Sequence, residues 1–168
     1  MYYEVAVTQF TKMLRNTLAI MEKAAGYADM KKFDTEVLLN SRLAPDQFTF
    51  TRQIQIMCDT AKMCVARLAD KQAPTHPDDE KTLAALRTRI ETTIAYLSTF
   101  TPTDFARSAT LRVSMPRWEG KTLSGEEFFM QHAVPNFYFH TTTAYAILRH
   151  NGVDIGKRDY LGTMPFKT

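Results

Sequence analysis

Apolar positions return at helical spacing along most of the chain. Between residue 4 and about residue 30, Phe10, Leu14, Thr17, Leu18, Met21, Ala24, Ala25 and Ala28 share one face, while Lys12, Arg15, Asn16 and Glu22 lie off it. This predicts a first long helix. A helical turn from Asp34 to Asn40 follows, with Asp34 as its N-cap, and then a connector from Ser41 to Thr49 that contains Pro45. A second helix is predicted from about Phe50 to Ala69, with Ile54, Met57, Cys58, Ala61, Val65 and Leu68 as its main apolar face. Ile56 and Met63 fall on its opposite side, so this helix is sandwiched by another element or by a second subunit.

Residues 71–79 form a loop with two prolines, and Thr75 is the expected cap of a third helix reaching about Thr99 along Leu83, Leu86, Ile90, Ile94 and Leu97. The period then changes to two through Leu111, Val113 and Met115. Pro116 and Gly120 bracket a turn, Lys121 to Leu123 return as a second strand, and Trp118 sits at the tip of the resulting hairpin. Ser124 with Glu127 three residues on is a capping box. The helix it opens runs to His150, is expected to kink at Pro135, and stops at Asn151 and Gly152. The tail from Val153 reads as mostly irregular. The prediction is all-α: one domain over 1–168, a four-helix bundle with a small β-hairpin inserted before the last helix.

Composition narrows the class. The chain has 168 residues, 45% hydrophobic and 23% charged, which excludes disordered and fibrous types and is enough to bury a core without disulfides. The formal net charge of +3 is scattered rather than gathered into a basic stripe, so nucleic acid is not an expected partner. Cys58 and Cys64 are six residues apart on one predicted helix. That separation is about 9 Å of rise with divergent side chains, too far for a disulfide. Free buried thiols suit a reducing compartment, and no signal peptide is visible, so a cytoplasmic location is expected. Residues 128–148 contain no Asp, Glu, Lys or Arg. They include Gln131, His132, Asn136 and His140, and so predict a helix buried in protein rather than in a membrane.

The common catalytic motifs are missing, which directs attention to polar residues within apolar helices. Gln55, Asp59 and Lys62 stand at i, i+4 and i+7, one stripe on the flank of the second helix. They form either a solvated edge or a row lining a cavity. On the last helix, His140 lies on the apolar arc, with Asn136 one turn before it and Tyr138 among aromatic neighbours. A buried imidazole needs partners, since an orphaned polar group costs about 1–3 kcal/mol. Asp59, Gln55 and Tyr138 are the expected ones. His140 is then either a satisfied core residue or a general base in a pocket, oriented by Asp59. Arg42 and Asp46 make a local ion pair or gate a pocket mouth. His76, His132 and His150 do not share the face of His140, so the spacing gives no three-histidine metal site.

Two stretches resemble a known family. Asn40 to Phe48 (NSRLAPDQF) followed by Thr51 to Asp59 (TRQIQIMCD) is similar to the first signature of the family called domain of unknown function 1993. Pro135 to Gly152 (PNFYFHTTTAYAILRHNG) followed by Ile155 to Gly162 (IGKRDYLG) is similar to its second. The resemblance implies a DinB/YfiT-like four-helix bundle, often dimeric. Many members of that superfamily hold a divalent metal through three histidines, and some are thiol S-transferases or hydrolases. This chain has Ala144 where the His-x-x-x-His of the last helix needs its second histidine, and no histidine on the second helix. The resemblance therefore supports the fold more than the metal. Three readings follow. The first is a small-molecule site with His140 and Asp59 as proton-transfer residues and Gln55, Asn136, Tyr138, Arg42 and Lys62 binding the ligand, without a cofactor. The second is a divalent-metal enzyme. The third is a homodimeric interaction protein using Ile56, Met63 and Trp118. The first is preferred.

Overall fold

The computed structural model describes residues 1–167 and turns the apolar stripes into four packed helices. Helix α1 covers Phe10–Lys31 and is preceded by a π-helical turn at Glu4–Gln9; a short helix α2 covers Glu36–Asn40. Helix α3 covers Phe50–Leu68 and α4 covers Leu83–Leu97. The last long segment is α5 (Gly125–Phe128), a π-helical stretch (Phe129–Ala133) and α6 (Val134–His150). α3 packs against α4 and α6, and α1 packs against the same two, which closes the bundle. The core runs through its centre from Phe10, Leu14 and Met21 to Ile54, Met57, Leu86, Ile90 and Ile147. The Phe10 and Phe137 rings stack at 3.9 Å between α1 and α6, a contact worth about 0.5–1.5 kcal/mol beyond its buried area.

The start of α4 differs from expectation. Thr82, not Thr75, caps it, its side chain accepting from the Ala85 N–H at 3.1 Å. Residues 71–81 stay free of regular structure because their charged groups are drawn into tertiary ion pairs described below. The π-helical stretch before α6 explains how Pro135 is tolerated. It sits in the first turn of α6, where its missing N–H breaks no regular helical bond, and the wide turn just before it absorbs the mismatch.

Strands β1 (Arg112–Val113) and β2 (Leu123–Ser124) pair antiparallel, in the register Arg112–Ser124 and Val113–Leu123. The capping box is formed as expected: the Ser124 hydroxyl accepts from the Glu127 N–H at 3.1 Å and the Glu127 carboxylate accepts from the Ser124 N–H at 2.8 Å. Gly125 lies so close to the Ser108 carbonyl that a Cβ would overlap it, while the Ser108 hydroxyl donates to the Leu68 carbonyl at 2.7 Å. These contacts pin the hairpin to the end of α3. Trp118 is not a free tip: its ring meets Phe128 and His132 edge-on at 6.4 and 5.6 Å. The tail is more ordered than expected. A helix α7 (Lys157–Leu161) lies on α1, where Asn16 Nδ2 donates to the Tyr160 carbonyl at 2.9 Å and Lys23 pairs with Asp159 at 2.7 Å. No helix among the described residues is long and apolar enough to cross a membrane.

Candidate functional site

The polar stripe of α3 is largely covered, with Asp59 partly open. Gln55 and Lys62 are buried, and loop 71–81 and Arg89 of α4 cover the stripe. Arg89 is the hub. Its Nη2 donates to Asp59 Oδ1 at 2.8 Å, and its Nη1 reaches Asp78 Oδ1 at 2.7 Å and Glu80 Oε1 at 2.9 Å. Lys62 Nζ shares the same Asp59 oxygen at 2.9 Å and lies 2.7 Å from His76 Nδ1. An ammonium can only donate, so His76 Nδ1 is unprotonated there. Arg52 Nη1 donates to Asp78 Oδ2 at 2.5 Å and to Gln55 Oε1 at 3.0 Å; Gln55 Nε2 donates to Glu80 Oε2 at 2.8 Å. Three cations face three carboxylates, which makes burial of the set tolerable. Burial works against the charge on Arg89, yet its hydrogen bond to Glu80, the field of Asp59 and its hydrogen bond to Asp78 outweigh it and raise its pKa. Burial holds the Asp78 and Glu80 carboxyls up. Their arginine hydrogen bonds prevail and both pKa values are lowered.

His140 does not meet Asp59. Its Nδ1 donates to Gln53 Oε1 at 2.6 Å, from α6 to α3, and Asp59 is turned to α4 instead. The expected partners Asp59, Gln55 and Tyr138 are thereby replaced by a residue the pattern assigned no role. Burial first, and the charge of Arg52 second, lower the His140 pKa to about 4. So weak a base takes up little proton near neutrality. Tyr138 packs edge-on against Phe10 at 6.3 Å on the α1 side. Arg42 is exposed and donates to the carbonyl of Pro45 at 3.3 Å, closing its own loop. The sequence-predicted residues thus divide. Gln55, Asp59 and Lys62 come together in the Arg89 network, Asn136 stands beside Asp59, and His140, Tyr138 and Arg42 lie elsewhere.

What Asp59 and Asn136 share is a groove. About 190 Å³ in volume, it runs between α3 and the segment from the hairpin to α6. Its polar floor is Asp59, Thr60 and Asn136, with Asn136 Nδ2 donating to Thr60 Oγ1 at 2.7 Å. Ile56, Met63, Met115 and Phe128 line its apolar walls, so the second apolar side of α3 is roofed in part by the hairpin region of the same chain. Arg67, Arg117 and His132 complete the lining. Arg117 Nη2 lies 2.6 Å from His132 Nε2. Because a guanidinium has no acceptor, that nitrogen carries the lone pair and Nδ1 carries the proton. His132 Nδ1 is buried and has no partner among the described residues. Burial, then the charges of Arg117 and Arg67, lower the pKa of this ring, so it is neutral near pH 7.

The signals for the overlooked residues were present in the sequence. Arg89 stands between Leu86 and Thr93 at i+3 and i−4, on the buried face of α4, and Gln53 stands at i+3 from Phe50 on that of α3.

Residues 2–161 match the family described as a domain of unknown function (DUF1993). The chain belongs to the DUF1993 family. Among solved structures, a DinB family member protein from Shewanella denitrificans is 58% identical. The match covers 99% of this chain and 94% of that one, with a TM-score of 0.96. No curated protein matches the chain. Like that structure, this DUF1993 protein has the DinB-type bundle. Its residues do not fit the three-histidine metal of the wider superfamily. Among the described residues no three His, Cys, Asp or Glu side chains are grouped to hold an ion. The one acidic group of the groove, Asp59, already shares one oxygen with two cations, Lys62 and Arg89, and His132 Nε2 accepts from a third. A divalent cation gains little from donors so neutralised.

Proposed function

We propose that this DUF1993 protein binds a small molecule in the groove between α3 and α6, with Asp59, Thr60 and Asn136 as the polar floor. One observation carries the reading: an open concavity in which a few convergent polar groups lie beneath walls of Met, Ile and Phe, the usual make-up of a ligand site. The Arg89 network supports it from behind. It holds Asp59 by two hydrogen bonds while a third of that side chain remains exposed, so the carboxylate is fixed before a ligand arrives. His140 belongs to the packing of α6 on α3 in this reading, not to the ligand.

The test is a fragment screen read by the ¹³C-methyl signals of methionine. Fragments that bind are expected to move Met63 and Met115 and to leave Met30, far out on α1, unchanged. They should lose affinity in Met63→Trp, whose indole fills the groove. Hits that bind Met63→Trp as well as the unaltered protein, or a screen in which no hit moves either groove methyl, would refute the assignment.

A further inference from the structure

The groove is electrically one-sided. Arg67 and Arg117 both line it, and neither is paired with a carboxylate among the described residues. Arg67 is partly buried with its guanidinium 5.8 Å from the centre of the Phe128 ring. Arg117 comes from the hairpin turn and touches His132 at 2.6 Å. Two like charges beside one cavity repel each other, and desolvation adds to the cost. His132 lines the same end, with its Nε2 taken up by Arg117. The carboxylate of the groove, Asp59, does not offset this excess, because Lys62 and Arg89 already neutralise it.

We infer that the groove takes an amphipathic anion. Its carboxylate or phosphate lies against Arg67 and Arg117, and its apolar tail lies along Met63, Met115 and Phe128. This inference rests on the groove being the binding site and adds the chemical class of the occupant. Guanidinium pairs suit a planar or tetrahedral oxyanion, since each offers parallel N–H donors. Phe128 serves both parts, as a face under the Arg67 cation and as a wall for the tail. An anion at this end removes the repulsion between the two arginines. A cation adds to it.

Calorimetric titration with hexanoate, hexyl phosphate and hexan-1-ol tests the inference. The two anions share the tail of the alcohol, so the difference isolates the head group, and the tighter of the two identifies carboxylate or phosphate. We expect at least one anion to bind about tenfold or more tighter than hexan-1-ol, and Arg117→Gln to weaken that anion by about tenfold or more. Arg112→Gln, on the exposed strand β1, should leave affinity unchanged. Arg117 is exposed, so its replacement is not expected to disturb folding, and circular dichroism checks this. Equal affinity for hexan-1-ol and the anions overturns the anion assignment while leaving the groove reading in place. An Arg112→Gln loss as large as that of Arg117→Gln also overturns it, because the attraction would then be diffuse. Binding of none of the three probes overturns it too, and the fragment screen then decides the groove by itself.

Discussion

Arg89 of α4 reaches across to Asp59 of α3, with Nη2 2.8 Å from Oδ1, and the Arg89 side chain that makes this bond is 1% exposed. The same side chain ties Asp78 and Glu80 of the preceding loop, so one residue joins two helices and the segment between them.

Removing that hub should be costly. Arg89→Met leaves Asp59, Asp78 and Glu80 without their shared cation, and urea unfolding should show a loss of about 3 kcal/mol. Lys62→Met is the contrast. Asp59 keeps Arg89, and an apolar side chain replaces a buried ammonium, so the change should stay within about 1 kcal/mol. Equal losses in the two variants would show that the network is not centred on Arg89.

Stability should fall on acidification. The unfolded chain protonates residue 140 near its ordinary 6.5, whereas the folded chain does so only near 4. The neutral ring's contribution is therefore complete above pH 6.5 and is lost as the pH drops towards 4. The loss is on the order of 3 kcal/mol. His76 acts in the same direction, its pKa lowered by burial and then by Lys62 and Arg89, and so does His132. Urea midpoints at pH 7 and pH 4.5 should show a smaller drop for His140→Gln than for the unaltered protein. Parallel slopes would contradict this.

The junction between the hairpin and the last helix should not tolerate a methyl group. Gly125→Ala overlaps the Ser108 carbonyl, which is backbone and yields only if the hairpin moves off α3. A loss of about 3 kcal/mol is expected in thermal unfolding, with a changed near-ultraviolet signal from Trp118.

Both thiols should be inert in the native state. Burial pushes Cys58 up to about 12 and Cys64 higher, with only weak compensation from Thr93 and Arg89 at the first and Arg67 at the second. Disulfide reagents should modify neither residue until urea unfolds the chain, and then both. Rapid native labelling of one equivalent would contradict the burial.

The stripe of Leu83, Leu86, Ile90 and Leu97, the box of Ser124 and Glu127 and the stop at Gly152 are local features, and from them the sequence by itself determined the four long helices, the hairpin and the bundle, though not where α4 begins or that α7 forms. Each depends on residues within a few positions of one another, so spacing is enough. Spacing also showed which way Asp59 and His140 face, but not what stands opposite them. Only the tertiary structure decided that Asp59 meets Arg89, that His140 meets Gln53, and that Arg67, Arg117 and His132 meet at one groove. Those pairings depend on how each helix is rotated against its neighbour and on where loop 71–81 and the hairpin settle. A shift of one turn along a helix changes a side chain's partner without changing the apolar pattern that buries it.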